Sequence, residues 1–419
     1  MLNRKQKPTL NSIETIHFVE PRIFDITENV KLYFMQEVPN ETCRIDLYFD
    51  AGNIRHNKGT PTFVNALLLS GTTEKTATQI SNEIDALGGF IDSGLSAESS
   101  VFTLYCLREN ALKIIDIIVN SINGLTFNEK EINELINDKK QVYLTNIEKV
   151  SFLAQREFQK KLFHGSSSYS KVVDESFYKD VTQKDLKHFF TENYLNGLSK
   201  VVVVGNLSQD DVDDLIDTVG KWAKEGDSNY ESSIQNLPGS QHIEKDGAVQ
   251  TAIRVGRTLF NKCHEDYNDF IVLNTIIGDY FGSRLMANIR EDKGYTYGIG
   301  SMVAEYKEFG YFLIATEVGK DVKDATLKEI QYEIKRLQEE LVGEEELELV
   351  RSYLLGQLLK SADGPYSMTD LYLSAEAQGL DSTFYNQVIH DLNKITPLRI
   401  QELAKKYLNW DDMTVVTAG

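Results

Sequence analysis

Cysteine is scarce: Cys43, Cys106 and Cys263 are the three in 419 residues. Widely spaced and odd in number, they support neither a disulfide framework nor a CxxC metal or redox site, and they point to a reducing compartment. Basic residues are in deficit too, 44 Lys and Arg against 63 Asp and Glu, giving a formal charge of -19. A surface this negative repels phosphate backbones and anionic lipids, so neither nucleic acid nor a membrane is an expected partner, whereas basic peptides fit. Long apolar runs are missing as well. No stretch reaches the roughly 18 residues of a membrane span, and no apolar segment of signal-peptide length follows the basic N-terminus MLNRKQKPTLNSIETIHF. A cytoplasmic protein is expected.

Familiar catalytic signatures are absent. A helical zinc site needs two imidazoles one turn apart, yet the nearest two of the seven histidines, His242 and His264, are 22 residues apart. Val204-Gly205-Asn206 follows a strand but lacks the further glycines of a dinucleotide-binding loop, and no Gly-x-Ser-x-Gly elbow presents a serine nucleophile.

What is present is a folded composition, 41% apolar with 20 Tyr and 20 Phe, at a length suited to two or three domains. It is also a repeat. DVTQKDLKHFFTENYLN (180–196) reads as a capped amphipathic helix leading into the Val-rich strand KVVVVGNLS, and NKITPLRIQELAKKYLN (393–409) leads likewise into MTVVTAG. The Tyr-Leu-Asn triplets begin at Tyr194 and Tyr407, 213 residues apart, each after a helix with a Thr N-cap candidate, Thr182 or Thr396. Upstream, LTFNEKEINELINDKKQVYLTNIEKV (125–150) has its counterpart in LVGEEELELVRSYLLGQLLKS, with Leu125 and Leu341 separated by 216. The first of these, extended to about 165, is expected to be one long packed helix.

Three elements at nearly one offset imply a duplicated unit. Runs such as CRIDLYF (43–49), TATQISNEIDALGG (76–89) and FIDSGLSAESSVFTLYCL (90–107) alternate strand, helix and hairpin in an α+β pattern. The expected architecture is two homologous domains, each a mostly antiparallel sheet with helices packed on one face. Residues 1–222 and 249–419 form the domains, and the polar stretch 223–248, with its Pro238-Gly239 pair, is the linker.

The most informative segment is GDYFGSRLMANIREDKGYTYGIGSMVAEY (278–306). A helix ends near Arg290-Glu291, a Lys293-Gly294 turn follows, and Tyr295, Tyr297 and Ile299 are expected on one face of the next strand. Read from the residues alone, Arg290 pairs with Asp292 or Glu291 and Tyr297 is one more amphipathic strand residue. The segment, together with the duplicated halves, resembles the insulinase-like (pitrilysin, M16) zinc metallopeptidase family, in particular its short two-domain members, which include mitochondrial processing peptidase and bacterial relatives. The resemblance covers essentially the whole chain and implies that Arg290 and Tyr297 contact a bound peptide. Arg284 and Tyr295 are second choices, suited to capping and packing.

In the first half the chain departs from that family. Active members carry His-x-x-Glu-His on an apolar helix before a Gly-Thr, and here GTPTFVNALLLSGT (59–72) puts Thr62, Asn65 and Ala66 at those positions. The third ligand would fall near Thr145, or with slippage at Asn146 or Glu148, and a lone carboxylate does not hold zinc. The resemblance therefore implies no metal and no cofactor in this chain. Zinc is expected in a partner subunit, an M16 homologue with which this chain forms a heterodimeric peptidase, contributing peptide binding and transition-state stabilisation while inactive alone. The alternative is a non-enzymatic homologue that serves as a structural or peptide-binding protein, self-associated as a homodimer.

Overall fold

The computed structural model describes residues 13–36, 38, 41–56, 59–166, 168–226, 228–231 and 234–419. Residues 1–12 of the N-terminal stretch, and 227, 232 and 233 of the expected linker, lie outside the described residues.

Eleven strands form two sheets among these residues. The first comprises β1 (Arg22–Asp25), β2 (Lys31–Met35), β3 (Thr42–Phe49), β4 (Phe90–Leu95), β5 (Ser100–Leu107) and β6 (Leu198–Val204), in the order β1-β2-β6-β3-β5-β4. The second comprises β7 (Gly239–Ile243), β8 (Gln250–Leu259), β9 (Ile299–Glu305), β10 (Gly310–Gly319) and β11 (Thr414–Ala418), in the order β7-β11-β8-β10-β9. In each sheet one pair is parallel, β2 with β6 and β7 with β11, and the others are antiparallel. Laid on the first sheet, the second reproduces every pairing sense without β1. The duplicated α+β architecture read from the repeat is the one observed.

Two details differ from the sequence reading. Gly239–Ile243, placed in the linker, is the edge strand β7, the equivalent of β2. Its residues, GSQHI, are mostly exposed and lack the apolar alternation that marks a strand in sequence. The expected long helix is two, Glu129–Asn146 and Val150–Leu162, with an extended Lys149 between them. The break lets the second helix leave its own half.

Caps anchor the repeated helices. Thr182 Oγ1 accepts from the Asp185 N–H (3.1 Å) ahead of Gln183–Phe190, and Thr396 Oγ1 accepts from the Arg399 N–H (3.3 Å) ahead of Pro397–Tyr407. Each satisfies a donor that the first helical turn leaves without an intrahelical partner.

Strand residues alternate between two apolar layers. In the first sheet, Leu32, Phe34, Val201 and Val203 face the helices of their own half, against Phe63, Ile114 and Ile118. Tyr33, Met35, Val202 and Val204 face the other way, onto Tyr372 and Leu373 of the second-half helix Pro365–Glu376. In the second sheet, Ile253, Val255, Phe312 and Ile314 pack on their own helices, while Ala252, Leu313, Val416 and Ala418 pack on Ala154, Phe158 and Leu162 of the first-half helix Val150–Leu162. Each half thus covers the second face of the other half's sheet. Glycine permits the close approach: a Cβ on Gly256 would stand 2.9 Å from the Phe158 ring.

Because Phe158 is fully buried between the halves, Phe158→Ala is expected to cost about 3–5 kcal/mol. Guanidinium unfolding of the whole chain checks this; a loss below about 1 kcal/mol would show that the helix is dispensable to the fold.

Candidate functional site

Helix Thr60–Leu67 starts with Pro at its first turn and buries Phe63, Val64 and Leu67. That leaves Thr62, Asn65 and Ala66 on its other side. Thr62 Oγ1 lies 3.4 Å from Asn53 Oδ1, and Ala66 is exposed. Asn65 is a structural tie: its Oδ1 accepts from the Ser100 hydroxyl (2.6 Å) and from the Tyr194 hydroxyl (3.2 Å). Burial raises the Tyr194 phenol pKa well above its ordinary value, so it stays a donor.

The third position is equally committed. Thr145 Oγ1 donates to the Gln141 carbonyl (3.0 Å), Asn146 Oδ1 accepts from Lys149 Nζ (2.9 Å), and Glu148 pairs with Lys245 across the halves (2.6 Å). Among the described residues no three His, Cys, Asp or Glu side chains gather as a metal-binding group. The hydroxyl, amide and methyl on the first-half helix are not a zinc donor set.

In the second half, Met286–Asp292 forms a wide π-type turn of the kind often found at functional sites. Gly294 then turns the chain at φ +67°, a conformation glycine adopts without strain. The expected common face of Tyr295, Tyr297 and Ile299 is not formed, because β9 begins only at Ile299. Tyr295 packs against the second core, Ile299 is buried, and Tyr297 is 96% exposed. Thr296 explains the difference. Its hydroxyl lies within hydrogen-bond distance of the Gly298 carbonyl (2.9 Å), the Glu317 carbonyl (2.8 Å) and Thr316 Oγ1 (3.0 Å). This pins the loop to β10, outside the ladder.

Arg290 does not make the expected pair with Asp292, which instead holds Lys293 (2.8 Å). Its guanidinium stacks on Phe281, 4.5 Å from the ring centre, and Nη1 is buried without a hydrogen-bond partner among the described residues. Arg284 and Tyr295 are structural: Arg284 grips Glu346 through two bonds (2.9 and 2.8 Å), and Tyr295 belongs to the core.

Tyr297 borders a hollow of about 380 Å3 that is also lined by Arg254, Thr296 and Glu317. Arg254 was not singled out from sequence, although a charge in the apolar strand QTAIRVGRTL was a signal. Its Nε donates to Gln155 Oε1 (3.1 Å) of the first-half helix, and burial lowers its pKa, partly offset by Glu317. The hollow beside Thr62 is separate, and neither is lined by both Thr62 and Tyr297.

Comparison with known proteins gives a consistent picture. A family model described as insulinase (peptidase family M16) matches residues 33–163, and one described as peptidase M16 inactive domain matches residues 180–354. An uncharacterized zinc protease of Bacillus subtilis (strain 168) is 24% identical over 357 residues, 83% of this chain and 85% of the relative. The mitochondrial-processing peptidase subunit beta of Bos taurus is 22% identical over 253 residues, 57% of this chain and 50% of the relative. A crystal structure of a peptidase M16 inactive domain from Pseudomonas fluorescens shares the fold at a TM-score of 0.86, with 22% identity over 96% of this chain and 98% of that one.

Asn65→Ala would leave two hydroxyls without their acceptor, one of them on the fully buried Tyr194. The expected cost is about 1–3 kcal/mol by chemical denaturation, whereas a neutral result would mean that water replaces the amide.

Proposed function

This chain belongs to the M16 peptidase family, whose two domain models it matches in chain order, and from that premise we propose that it is a metal-free subunit of a heterodimeric zinc peptidase. In that complex it binds peptide and stabilises the transition state beside a zinc-bearing homologue. The observation that carries this reading is the contrast between the halves. The first-half helix spends its Asn65 on structure and offers no imidazole or carboxylate, while the second half has an exposed phenol and a buried guanidinium nitrogen with no hydrogen-bond partner among the described residues.

Those two groups suit peptide chemistry. The rigid donor fork of Arg290 can hold a substrate carbonyl. The Tyr297 hydroxyl can donate to the carbonyl oxygen as it gains charge, and Thr296 holds the loop that carries it. Three free cysteines, two of them buried, fit a reducing, cytoplasmic setting. No helix among the described residues is long and apolar enough to cross a membrane.

The purified chain alone is expected to retain no stoichiometric zinc after dialysis and to cleave no peptide. One tightly held zinc per chain, with chelator-sensitive cleavage, would overturn the assignment. In a pair reconstituted with a zinc-bearing homologue, Tyr297→Phe is expected to lower kcat about a hundredfold with assembly intact, and Arg290→Ala to act mainly on KM. Steady-state cleavage of a quenched fluorescent peptide, read with the elution volume of the complex, tests this. An unchanged kcat in a normally assembled complex would favour a structural or peptide-binding homologue instead.

A further inference from the structure

The hollow beside Thr62, about 530 Å3, has a chemistry of its own. Helix Val150–Leu162 builds one wall. Its apolar stripe, Ala154, Phe158 and Leu162, is spent on the second sheet, so the neighbouring stripe, Phe152, Arg156 and Gln159, faces the hollow. Ile54, Val172, Phe177 and Tyr306 make the other walls apolar, and Lys171 enters from the segment that follows the helix.

Two cationic side chains line the hollow without a direct ion pair. Neither Arg156 nor Lys171 joins an ion pair among the described residues: Arg156 Nη1 donates to the Tyr143 hydroxyl (3.2 Å), and burial pushes the Lys171 ammonium pKa down, with Glu231 the charge that offsets it. The remaining titratable side chains of the lining are His56, Asp174, Tyr169 and Tyr306, and burial raises the pKa of both phenols, which keeps them neutral. Asp174 is already committed, accepting from the Ser176 N–H (2.9 Å) and hydroxyl (2.6 Å), which keeps it ionised; Arg156 adds to that effect. Two cations and one engaged carboxylate therefore line the hollow, with Glu231 acting on Lys171 from outside the lining, in a chain whose formal charge is -19. Cations partly removed from water gain most from an incoming anion.

We propose that this hollow binds a carboxylate carried on an apolar group, as a peptide C-terminus ending in a large apolar residue presents it. Lys171 and Arg156 hold the carboxylate while the apolar walls take the side chain. The inference concerns the isolated chain and stands apart from any partner or cleavage.

The test is fluorescence anisotropy of the purified full chain with N-terminally labelled hexapeptides ending in Phe, as free acid and as amide. The free acid is expected to bind at least tenfold more tightly. Lys171→Gln and Arg156→Gln are each expected to reduce it towards the level of the amide, with thermal melts unchanged. Displacement by 3-phenylpropionate would show that the acid group and ring suffice; failure to displace, with peptide binding intact, would assign the site to peptides. Equal binding of acid and amide, no binding of either, or displacement by inorganic phosphate but not by 3-phenylpropionate would each overturn the proposal. The acid-to-amide comparison needs no variant, so a substitution that fails to fold leaves the test standing.

Discussion

The central strands of both sheets are buried on two faces, and each half supplies helices for only one of them. The remaining face is closed by a single helix borrowed from the other half, Val150–Leu162 over the second sheet and Pro365–Glu376 over the first. Leaving those faces open would expose contiguous apolar surface beyond what a lone domain carries comfortably. The two closures use different means. Over the second sheet, small residues such as Ala252, Gly256 and Ala418 let the helix come close. Over the first, strand β3 presents buried Arg44 and Asp46, which pair with each other (2.9 Å), and Arg44 reaches Asp370 of the covering helix (2.6 Å). Lys200 on β6 and Tyr33 on β2 converge likewise on Glu376. Charges buried this deeply are tolerable only with their partners in place, so the first sheet's second face depends on the second half being folded.

The same exchange makes the functional geometry. A helix lying across a foreign sheet covers it with one stripe and turns the next outward, and that outward stripe furnishes Gln155 to Arg254 and Arg156 to the hollow beside Thr62. Further contacts hold the halves in register around these openings. Glu98, in the β4–β5 turn, accepts from the Lys307 N–H (3.1 Å to each oxygen) and from the Tyr169 hydroxyl (2.6 Å), and Tyr230 lies between Arg55 and Lys307. These are polar contacts at the rim of an apolar interface, suited to fixing orientation more than to adding stability.

At the first-half helix, half-buried Asn65 is an acceptor for Ser100 and Tyr194. Both hydroxyls donate to the amide oxygen, so the side chain ties the helix to β5 and to the segment that precedes β6.

Much of this was written in local chemistry. Caps at Thr182 and Thr396, the Val-rich strand at 200–204 and the recurring Tyr-Leu-Asn triplets follow from backbone donors, strand burial and repetition, which act over a few residues. The duplicated α+β plan was legible for the same reason, whereas Arg290 and Tyr297, and the positions Thr62 and Ala66, were singled out only by the family resemblance. Tertiary structure alone decided the rest. That β7 is a strand depends on an edge of β11 being available to a weakly patterned segment. The break after Asn146 depends on where the next helix must lie, and the outward turn of Tyr297 on a threonine bond to β10, 21 residues away in sequence. The meeting of Arg156 and Lys171 at one hollow appears only once helix Val150–Leu162 is placed, because the spatial sum of charge has no counterpart in the order of residues.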